Sequence, residues 1–440
     1  MKKIIVAAFL LYSSIFAQQK LTLQNAVETA LKNNFSISIA RGQMEIADNN
    51  LSPGSAGFLP TLDASGTILR SVTNTTQEYF DGRMVDRNGA VTKNLNASLA
   101  LNWTVFDGLQ MFAELDRLKE LKKSGEISFK SAVEQSISSV ISEYYNIVRQ
   151  QQILEVIKKS IALSEERVRI AENKLDVGSG SRFDLRQAKV DLNEDRTNYL
   201  REELKLVQAE INLNELLGRD VNEQFQVEDT IVVNKNLNPD DMLSSAMDKN
   251  SELLIARENK NLADINLRLA RSGWFPAINL TAGYNYTNSE AEAGFMKSNL
   301  NIGFNYGVTA SWNLFDGLKT ATAIQNAAVN IDINKTLLNK TEENIKAVVL
   351  TSFKRYENSL VLVELETENL ESARENVDIA VERLRLGTLT PLEFRETQKR
   401  LLESQSRLLQ AQYEAKIAET DLLRLSGELV KKIRGQIPLN

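Results

Sequence analysis

The sequence predicts a mainly α-helical fold with a small β part, built from two copies of one structural unit. Three observations lead to this prediction. Two long stretches lack proline, almost lack glycine and space apolar residues as helices do. Four shorter segments alternate apolar and polar residues as strands do, and several motifs recur along the chain at nearly constant offsets.

The recurring motifs set the expected domain boundaries. Residues 103–109 read WTVFDGL and residues 312–318 read WNLFDGL, an offset of 209. Nearer the N-terminus the offset is 216, as between ALKNN at 30–34 and AMDKN at 246–250. We therefore expect a first copy at 18–218, a connecting segment at mid-height at 219–239, a second copy at 240–427 and a C-terminal tail at 428–440.

Each copy is expected to contain a long antiparallel helical hairpin, at about 109–217 and about 318–426. Asp107 and Asp316 are candidate N-caps, and Gly178 and Gly387 are candidate helix stops. The outgoing helices would be about 100 Å long at about 1.5 Å per residue. The return helices carry apolar or small residues every three or four positions, which predicts coiled-coil packing. A further helix is expected from Asp240 to Ser272.

Four strands are expected at about 61–73, 94–104, 277–287 and 301–314, joined by polar loops at 73–93 and 288–299. Their length of about ten residues suits a tilted membrane-crossing strand. Trp103, Phe106, Trp312 and Phe315 lie at the strand bases, like an aromatic interface girdle or as core anchors where strand meets helix. Gly108 and Gly317 are expected to permit the tight bend into the helix.

The N-terminus and the composition narrow the class of protein. Lys2 and Lys3, an apolar run and small residues near Ala17 predict a signal peptide at 1–17. Its removal takes away two lysines and changes the formal charge from −6 to −8, which argues against nucleic-acid binding. The chain has no Cys and no His, so no disulfide, lipidated cysteine, histidine base or metal site is expected.

The predicted sheet also predicts an oligomer. No stretch after residue 17 has 18 consecutive apolar residues, so no transmembrane helix is expected. Four strands cannot close a barrel, and an open sheet leaves unpaired edges in lipid. Two chains would supply eight strands with little lumen, and three would supply twelve strands around an open bore.

The chain resembles the TolC family of outer-membrane efflux proteins. The resemblance rests on the duplicated Trp-x-x-Phe-Asp-Gly-Leu motif and on the helix-turn signatures at 177–185 and 386–394. It implies a homotrimer with a 12-stranded β-barrel in the outer membrane of a Gram-negative bacterium and a helical α-barrel that extends into the periplasm. It also implies a periplasmic adaptor and an inner-membrane pump of the RND, ABC or MFS type as partners.

The resemblance also implies site residues at the ends of the hairpins. Glu393 and Glu396 match two acidic positions that form the narrowest rings of the pore in the family. Gly178, Arg182, Asp184, Gly387 and Thr388 fall where the family gates the tips and contacts the adaptor. The alternative interpretation of Asp184, Glu393 and Glu396 is that they are solvated residues near helix N-termini, where the helix dipole favours a negative charge. Leu384 and Leu389 replace the Tyr and Arg that lock the tip in relatives.

The function expected is therefore passive conduction of cargo from a pump, with no enzymatic activity and no cofactor. The alternative is a non-porous secreted coiled-coil scaffold, which the long heptads also fit. Drug efflux, metal efflux and type I protein secretion share this architecture, and the sequence leaves the three open.

Overall fold

The computed structural model describes residues 20–228 and 230–436, with side chains described through residue 433. The predicted signal peptide at 1–17 lies outside these residues. Helices dominate the described chain, and none of its helices is both long and apolar enough to cross a membrane. In chain order the helices are α1 (Leu23–Asn33), α2 (Phe35–Asn50), α3 (Gln110–Asp176), α4 (Arg182–Leu217), α5 (Pro239–Lys249), α6 (Ser251–Ser272), α7 (Lys319–Arg385), α8 (Pro391–Leu425) and α9 (Leu429–Gln436).

The strands form two sheets. They are β1 (Lys20–Leu21), β2 (Thr61–Glu78), β3 (Met84–Phe106), β4 (Gln226–Val227), β5 (Ala277–Ala291) and β6 (Ser298–Ser311). The larger sheet is antiparallel with the order β2-β3-β5-β6, so β2 and β6 are its edges. The smaller sheet pairs β1 in parallel with β4, which lies in the predicted connecting segment at 219–239.

The chain divides into two compact units. One unit contains the described residues of 20–42, 128–254 and 341–436, and it is almost entirely helical. The other unit contains Gln43–Ile127 and Ile255–Lys340, which include the four-stranded sheet and the helix ends beside it.

The helical unit has its largest core where α1, α3 and α4 meet. Ile137, Val140 and Ile147 of α3 are buried against Leu213 and Leu217 of α4 in this cluster. The seam predicted on α4 is confirmed, because Ala188, Leu192, Asp195, Ala209 and Leu213 are all buried. Burial of apolar area at about 25 cal/mol per Å² is what holds such long helices together.

The large sheet has one apolar face and one polar face. On the polar face, Ser65 and Ser98 hydrogen-bond at 2.8 Å, and Asn285 donates to Asn305 at 2.7 Å. The apolar face is exposed, with Ile68 at 84% and Tyr306 at 82%. Two cross-strand rows of this face are Leu62-Leu101-Ala282-Tyr306 and Ala64-Leu99-Tyr284-Phe304.

The strands differ in extent from the prediction. The loop predicted at 73–93 is mostly strand, because β2 and β3 pair to Glu78 and Met84 around a bulge at Thr73/Thr75. Thr-rich segments have high β propensity, and Gly82 (φ 82°) permits a tight turn. β5 continues to Ala291, and β6 spans Ser298–Ser311 instead of 301–314.

The helix predicted from Asp240 to Ser272 is broken at Asn250. This residue has an extended backbone (φ −61°, ψ 124°), and its side-chain oxygen accepts from the amides of Glu252 and Leu253. Its side-chain nitrogen donates to the carbonyl of Leu425 at 2.9 Å. Asn34, 216 residues earlier, donates to the carbonyl of Leu216 at 2.7 Å in the same way. A buried asparagine thus ends one helix, starts the next and fixes both to a neighbouring helix end.

Replacing Asn250 by Ala should therefore destabilise the helical unit. The change removes an N-cap and leaves the buried carbonyl of Leu425 without its donor, which predicts a loss of about 1–3 kcal/mol. Asn344→Ala is the matched control because Asn344 is an exposed residue on α7 in the same unit. Thermal unfolding followed by circular dichroism should show a lower midpoint only for Asn250→Ala, and equal midpoints for the two variants would contradict this account.

Candidate functional site

The first tip turn, residues 177–181, joins α3 to α4. Gly178 has φ 76°, and the amides of Ser179 and Gly180 donate to the carbonyl of Lys174. Ser181 caps α4 by accepting from the amide of Phe183 at 3.0 Å. The turn is compact because left-handed Gly178 redirects the chain and these bonds satisfy the last carbonyls of α3.

Arg182 and Asp184 open α4 directly after this turn. Asp184 lies in the first turn of the helix, where a negative charge complements the dipole. Arg182 is exposed and Asp184 is half-buried. The family resemblance implied a role for both in the tip gate and the adaptor contact, and that role stays a prediction.

The second tip turn, residues 386–390, joins α7 to α8. Gly387 has φ 74°, and Thr388 donates to the carbonyl of Arg383 through both its amide and its hydroxyl. Thr390 and Glu393 form a capping box: the Glu393 carboxylate accepts from the Thr390 amide at 2.9 Å, and the Glu393 amide donates to the Thr390 hydroxyl at 3.3 Å. The amide and hydroxyl of Thr390 hold the pKa of the Glu393 carboxyl below its ordinary value.

Glu393 and Glu396 line one groove between α7 and α8. The groove has a volume of about 940 Å³ and also contains Arg383 and Arg400. The Glu396 carboxylate accepts from Arg400 at 3.2 Å, and both side chains are exposed. The structure therefore brings the two acids together and gives Glu393 a capping role. Their place in a pore constriction stays a prediction.

An apolar cluster lies beside the second tip turn. Leu384 and Phe394 are buried with Ala380, and Leu389 and Ile170 of α3 pack against them. Leu384 and Leu389 are the positions at which the family resemblance implied a Tyr and an Arg. In this chain those positions contribute hydrophobic contact between the two hairpins instead of hydrogen bonds.

A buried polar network lies further along the hairpins. Arg395 of α8 binds Asp195 of α4 through two bonds of 3.0 and 2.9 Å. Ser164 of α3 donates to the same Asp195 carboxylate at 2.6 Å. Gln398 of α8 donates to the Ser160 carbonyl at 2.8 Å and to the Ser164 hydroxyl at 2.9 Å. The network therefore joins the first hairpin to the second.

Opposite charges in this network stabilise each other. Burial lowers the pKa of Arg395, but the hydrogen bonds and the charge of Asp195 outweigh it and hold that pKa above its ordinary value. Next to this pair, Arg167 of α3 forms a buried ion pair with Asp191 of α4. Removing one member of a buried pair leaves an uncompensated charge, so the network resists separation of the hairpins.

Sequence reasoning missed this network as an interaction between hairpins. Asp195 was visible as a polar residue within the predicted seam of α4, which is the signal that could have found it. Arg395 and Gln398 lie on a helix about 200 residues away, and no local pattern joins them to Asp195.

The strand-to-helix junctions repeat one arrangement twice. The indole of Trp103 donates to the Phe58 carbonyl at 2.9 Å, and that of Trp312 donates to the Trp274 carbonyl at 3.1 Å. Asp107 accepts from the amide of Met111 at 3.0 Å, and Asp316 accepts from the amide of Thr320 at 2.8 Å.

The two junctions differ in exposure and packing. Phe106 is half-buried and Phe315 is 78% exposed. Gly108 and Gly317 both have positive φ, of 72° and 71°, but only Gly108 is closely packed.

Comparison with known proteins identifies the class to which this fold belongs. The family model of outer membrane efflux proteins matches residues 26–219 and 242–428. The outer membrane efflux protein BepC of Brucella suis biovar 1 (strain 1330) is 21% identical over 433 residues, covering 97% of this chain and 91% of BepC. The cation efflux system protein CusC of Escherichia coli (strain K12) is 22% identical over 425 residues, covering 92% and 86%.

Solved structures share the fold. The outer-membrane channel OprN superposes with a TM-score of 0.76 at 16% identity, covering 92% of this chain and 90% of OprN. The CmeC outer membrane channel of Campylobacter jejuni superposes with a TM-score of 0.75 at 18% identity, covering 94% and 89%.

The chain belongs to the outer membrane efflux protein family. Its members are channel proteins, and it is an outer-membrane protein of a Gram-negative bacterium that extends into the periplasm. The sequence-based identification of the family is confirmed.

Asp195→Ala should destabilise the hairpins by about 3–5 kcal/mol, because it leaves the Arg395 guanidinium half-buried without its partner. Replacing both residues, as in Asp195→Leu with Arg395→Met, should recover most of that loss. Glu194→Ala is the control, since Glu194 is exposed and meets Arg395 only at 3.4 Å. Midpoints of thermal unfolding check the series. If the double variant is as unstable as Asp195→Ala, packing and not charge explains the effect.

Proposed function

We propose that the protein is the outer-membrane duct of a tripartite efflux or type I secretion system. Three chains form a 12-stranded β-barrel in the outer membrane and a helical barrel in the periplasm. Cargo passes through the duct passively from an inner-membrane pump that is joined to it by a periplasmic adaptor. The observation that carries the proposal is the large sheet, whose apolar face is exposed and whose edge strands β2 and β6 have no partner among the described residues.

Lipid contact explains the two faces of this sheet. Ile68, Phe304 and Tyr306 would cost free energy if they faced water, whereas lipid removes that cost. The opposite face carries serine, threonine and asparagine side chains that suit a water-filled lumen. A soluble scaffold would cover the apolar face and protect the edges.

A difference between the two strand-to-helix junctions supports a position for the next chain. A Cβ on Gly108 would lie 2.5 Å from the Ser272 carbonyl oxygen and 2.8 Å from the Phe275 Cβ. A Cβ on Gly317 would meet nothing within 4 Å. The repeat offset of 216 maps Ser272 and Phe275 onto Ala56 and Leu59. We infer that Ala56 and Leu59 of a neighbouring chain occupy the open space beside Gly317.

The family model matches the chain twice, which supports mapping residues of one copy onto the other by the repeat offsets. The two matches begin at residues 26 and 242 and end at residues 219 and 428, which reproduces the offsets of 216 and 209 found within the sequence. An interface in which β6 of one chain joins β2 of the next is head-to-tail, so it generates a ring when the rotation closes.

Exposed apolar side chains on two helices also fit such a ring. On α4 they include Val190, Leu200, Leu204 and Ile211, and on α7 they include Leu350, Val361, Leu365 and Ile379. Pairing between chains would bury both sets at helical spacing.

Engineered disulfides between neighbouring chains can test the proposed ring, because the chain has no native cysteine that could form a competing disulfide. Asn102 pairs with Thr281 within the sheet, and the repeat offsets map this pair onto Ser311 and Ser65 of adjacent chains. The double variant Ser65→Cys/Ser311→Cys should form covalent multimers up to a closed trimer on mild oxidation, because paired strands place Cα atoms about 5 Å apart. Non-reducing gel electrophoresis checks the result.

The control pair Ser65→Cys/Asn305→Cys displaces one cysteine by six positions, about 20 Å along the strand. It should stay monomeric on the gel. Cross-linking in the control but not in the test pair would show that the proposed register is wrong.

We further propose that Glu393 and Glu396 form the acidic constriction at the second tip. Three chains would place six carboxylates around the axis, which attracts cations and repels anions. Glu393→Gln/Glu396→Gln removes both negative charges and keeps the helix cap, because Gln at the third helical position also completes a capping box. The double variant should lose cation selectivity and block by trivalent cations in planar-bilayer conductance.

Glu172→Gln/Glu194→Gln is the matched control, since these glutamates lie away from the tip turns. It should keep wild-type selectivity and wild-type block. If the Glu393/Glu396 variant does the same, the two acids do not line the constriction.

The pump, and not the duct, determines which cargo is exported. Relatives are named for cation, toluene and antibiotic efflux although they match the same chain over nearly its whole length. Deleting the gene should sensitise the cell to toxic compounds or stop secretion of a protein. Growth assays and secretome analysis check this, and normal results in a strain without a second duct gene would contradict the export role.

A further inference from the structure

A cleft lies beside the first strand-to-helix junction, between the start of α3 and the end of α6. It has a volume of about 350 Å³ and a largely apolar lining. The residues that line it are Gly108, Leu109, Phe112, Ala113, Arg268, Arg271, Ser272 and Phe275. All of them belong to the unit that contains the large sheet.

The backbone geometry of the junction forms the cleft. The close approach of Gly108 to Ser272 and Phe275 forms its floor, and any side chain at position 108 would clash there. Leu109, Phe112 and Phe275 are each more than half exposed, so the apolar walls are open to whatever surrounds the protein.

The cleft is continuous with the apolar face of the sheet. Trp103 lies on that face and donates to the carbonyl of Phe58. The ring of Phe58 packs edge-to-face on Phe112 with centroids 5.0 Å apart. One hydrogen bond and one ring contact therefore link Trp103 on the apolar face of β3 to Phe112 in the wall of the cleft.

Two arginines line the cleft. Arg268 donates to Asp116 at 3.0 Å, and Asp116 also accepts from Lys119 at 3.2 Å. Arg271 is exposed, and within the described part of the chain it has no ion-pair partner. An apolar cleft with an unneutralised guanidinium at its rim is complementary to an acyl chain that carries an anionic head group.

The arginines are not needed to build the junction. The repeat offset maps Arg268 and Arg271 onto Ser52 and Ser55, which lie beyond the end of α2. The cleft also lies beside the central strands β3 and β5, away from the edges at which neighbouring chains would join.

We propose that this cleft binds one anionic phospholipid of the outer membrane, with an acyl chain against Phe112 and Phe275 and the phosphate at Arg271 and Arg268. The inference rests on the proposed function, since it places the strand bases at the membrane surface. One such lipid per chain would anchor the strand-to-helix junction at a fixed depth in the membrane.

Native mass spectrometry of the purified full-length protein in detergent tests this proposal, with palmitoyl-oleoyl phosphatidylglycerol or phosphatidylcholine added. The wild-type protein should retain phosphatidylglycerol at one molecule per chain and should retain phosphatidylcholine at least about tenfold less. Arg271→Ala should reduce the retention of phosphatidylglycerol about tenfold, because it removes the free charge without breaking an ion pair. Phe112→Ala should also reduce it.

Arg87→Ala is the matched control, because it removes one exposed arginine near the opposite end of β3. It should retain phosphatidylglycerol as the wild type does. Equal retention by Arg271→Ala and the wild type, or equal retention of both lipids by the wild type, would overturn the proposal. The same spectra report the number of chains, so a trimer without specific lipid refutes only this inference, whereas a monomer refutes the proposed function.

Discussion

The constraint on which the proposed assembly depends is the pairing of backbone groups at the edges of the large sheet. β2 and β6 each present a row of amide and carbonyl groups that the described chain leaves unpaired. In a membrane no water is present to satisfy such groups, so each unpaired group costs several kcal/mol. In the proposed assembly, lipid covers the exposed apolar face, and other chains pair with the free edges. The open space beside Gly317, which contrasts with the close packing of Gly108, would be filled by the neighbouring chain of the same assembly.

In the proposed duct the helical unit would meet a different requirement, which is to hold its two hairpins together while their tips open. An apolar cluster around Leu384 and Phe394 lies beside the second tip turn, and the ion pair between Asp195 and Arg395 lies further along the hairpins. Apolar contact can be lost and regained without leaving unpaired charge, whereas separating a buried ion pair is costly. We infer that movement in the proposed opening is confined to the tip, and that the hairpins stay together from the polar network onward, on the side away from the tip.

Much of the fold could be predicted because its signals are local. The glycines that end the long helices, the heptad spacing of α4 and the alternation of the strands all lie within short windows of sequence. The break at Asn250 was missed because asparagine is tolerated within a helical pattern, and its bond to the distant Leu425 carbonyl is not visible in the local sequence. The ion pair between Asp195 and Arg395 could not be predicted, since it joins helices about 200 residues apart and depends on how the hairpins pack.

The central claim is that one chain is an incomplete part of a closed ring. The most direct test is the mass of the purified protein in mild detergent, measured by light scattering with the detergent contribution subtracted. The account predicts a single species of three chains, because twelve strands close the sheet around an open bore. A stable, folded monomer that retains its strands by circular dichroism would contradict the account.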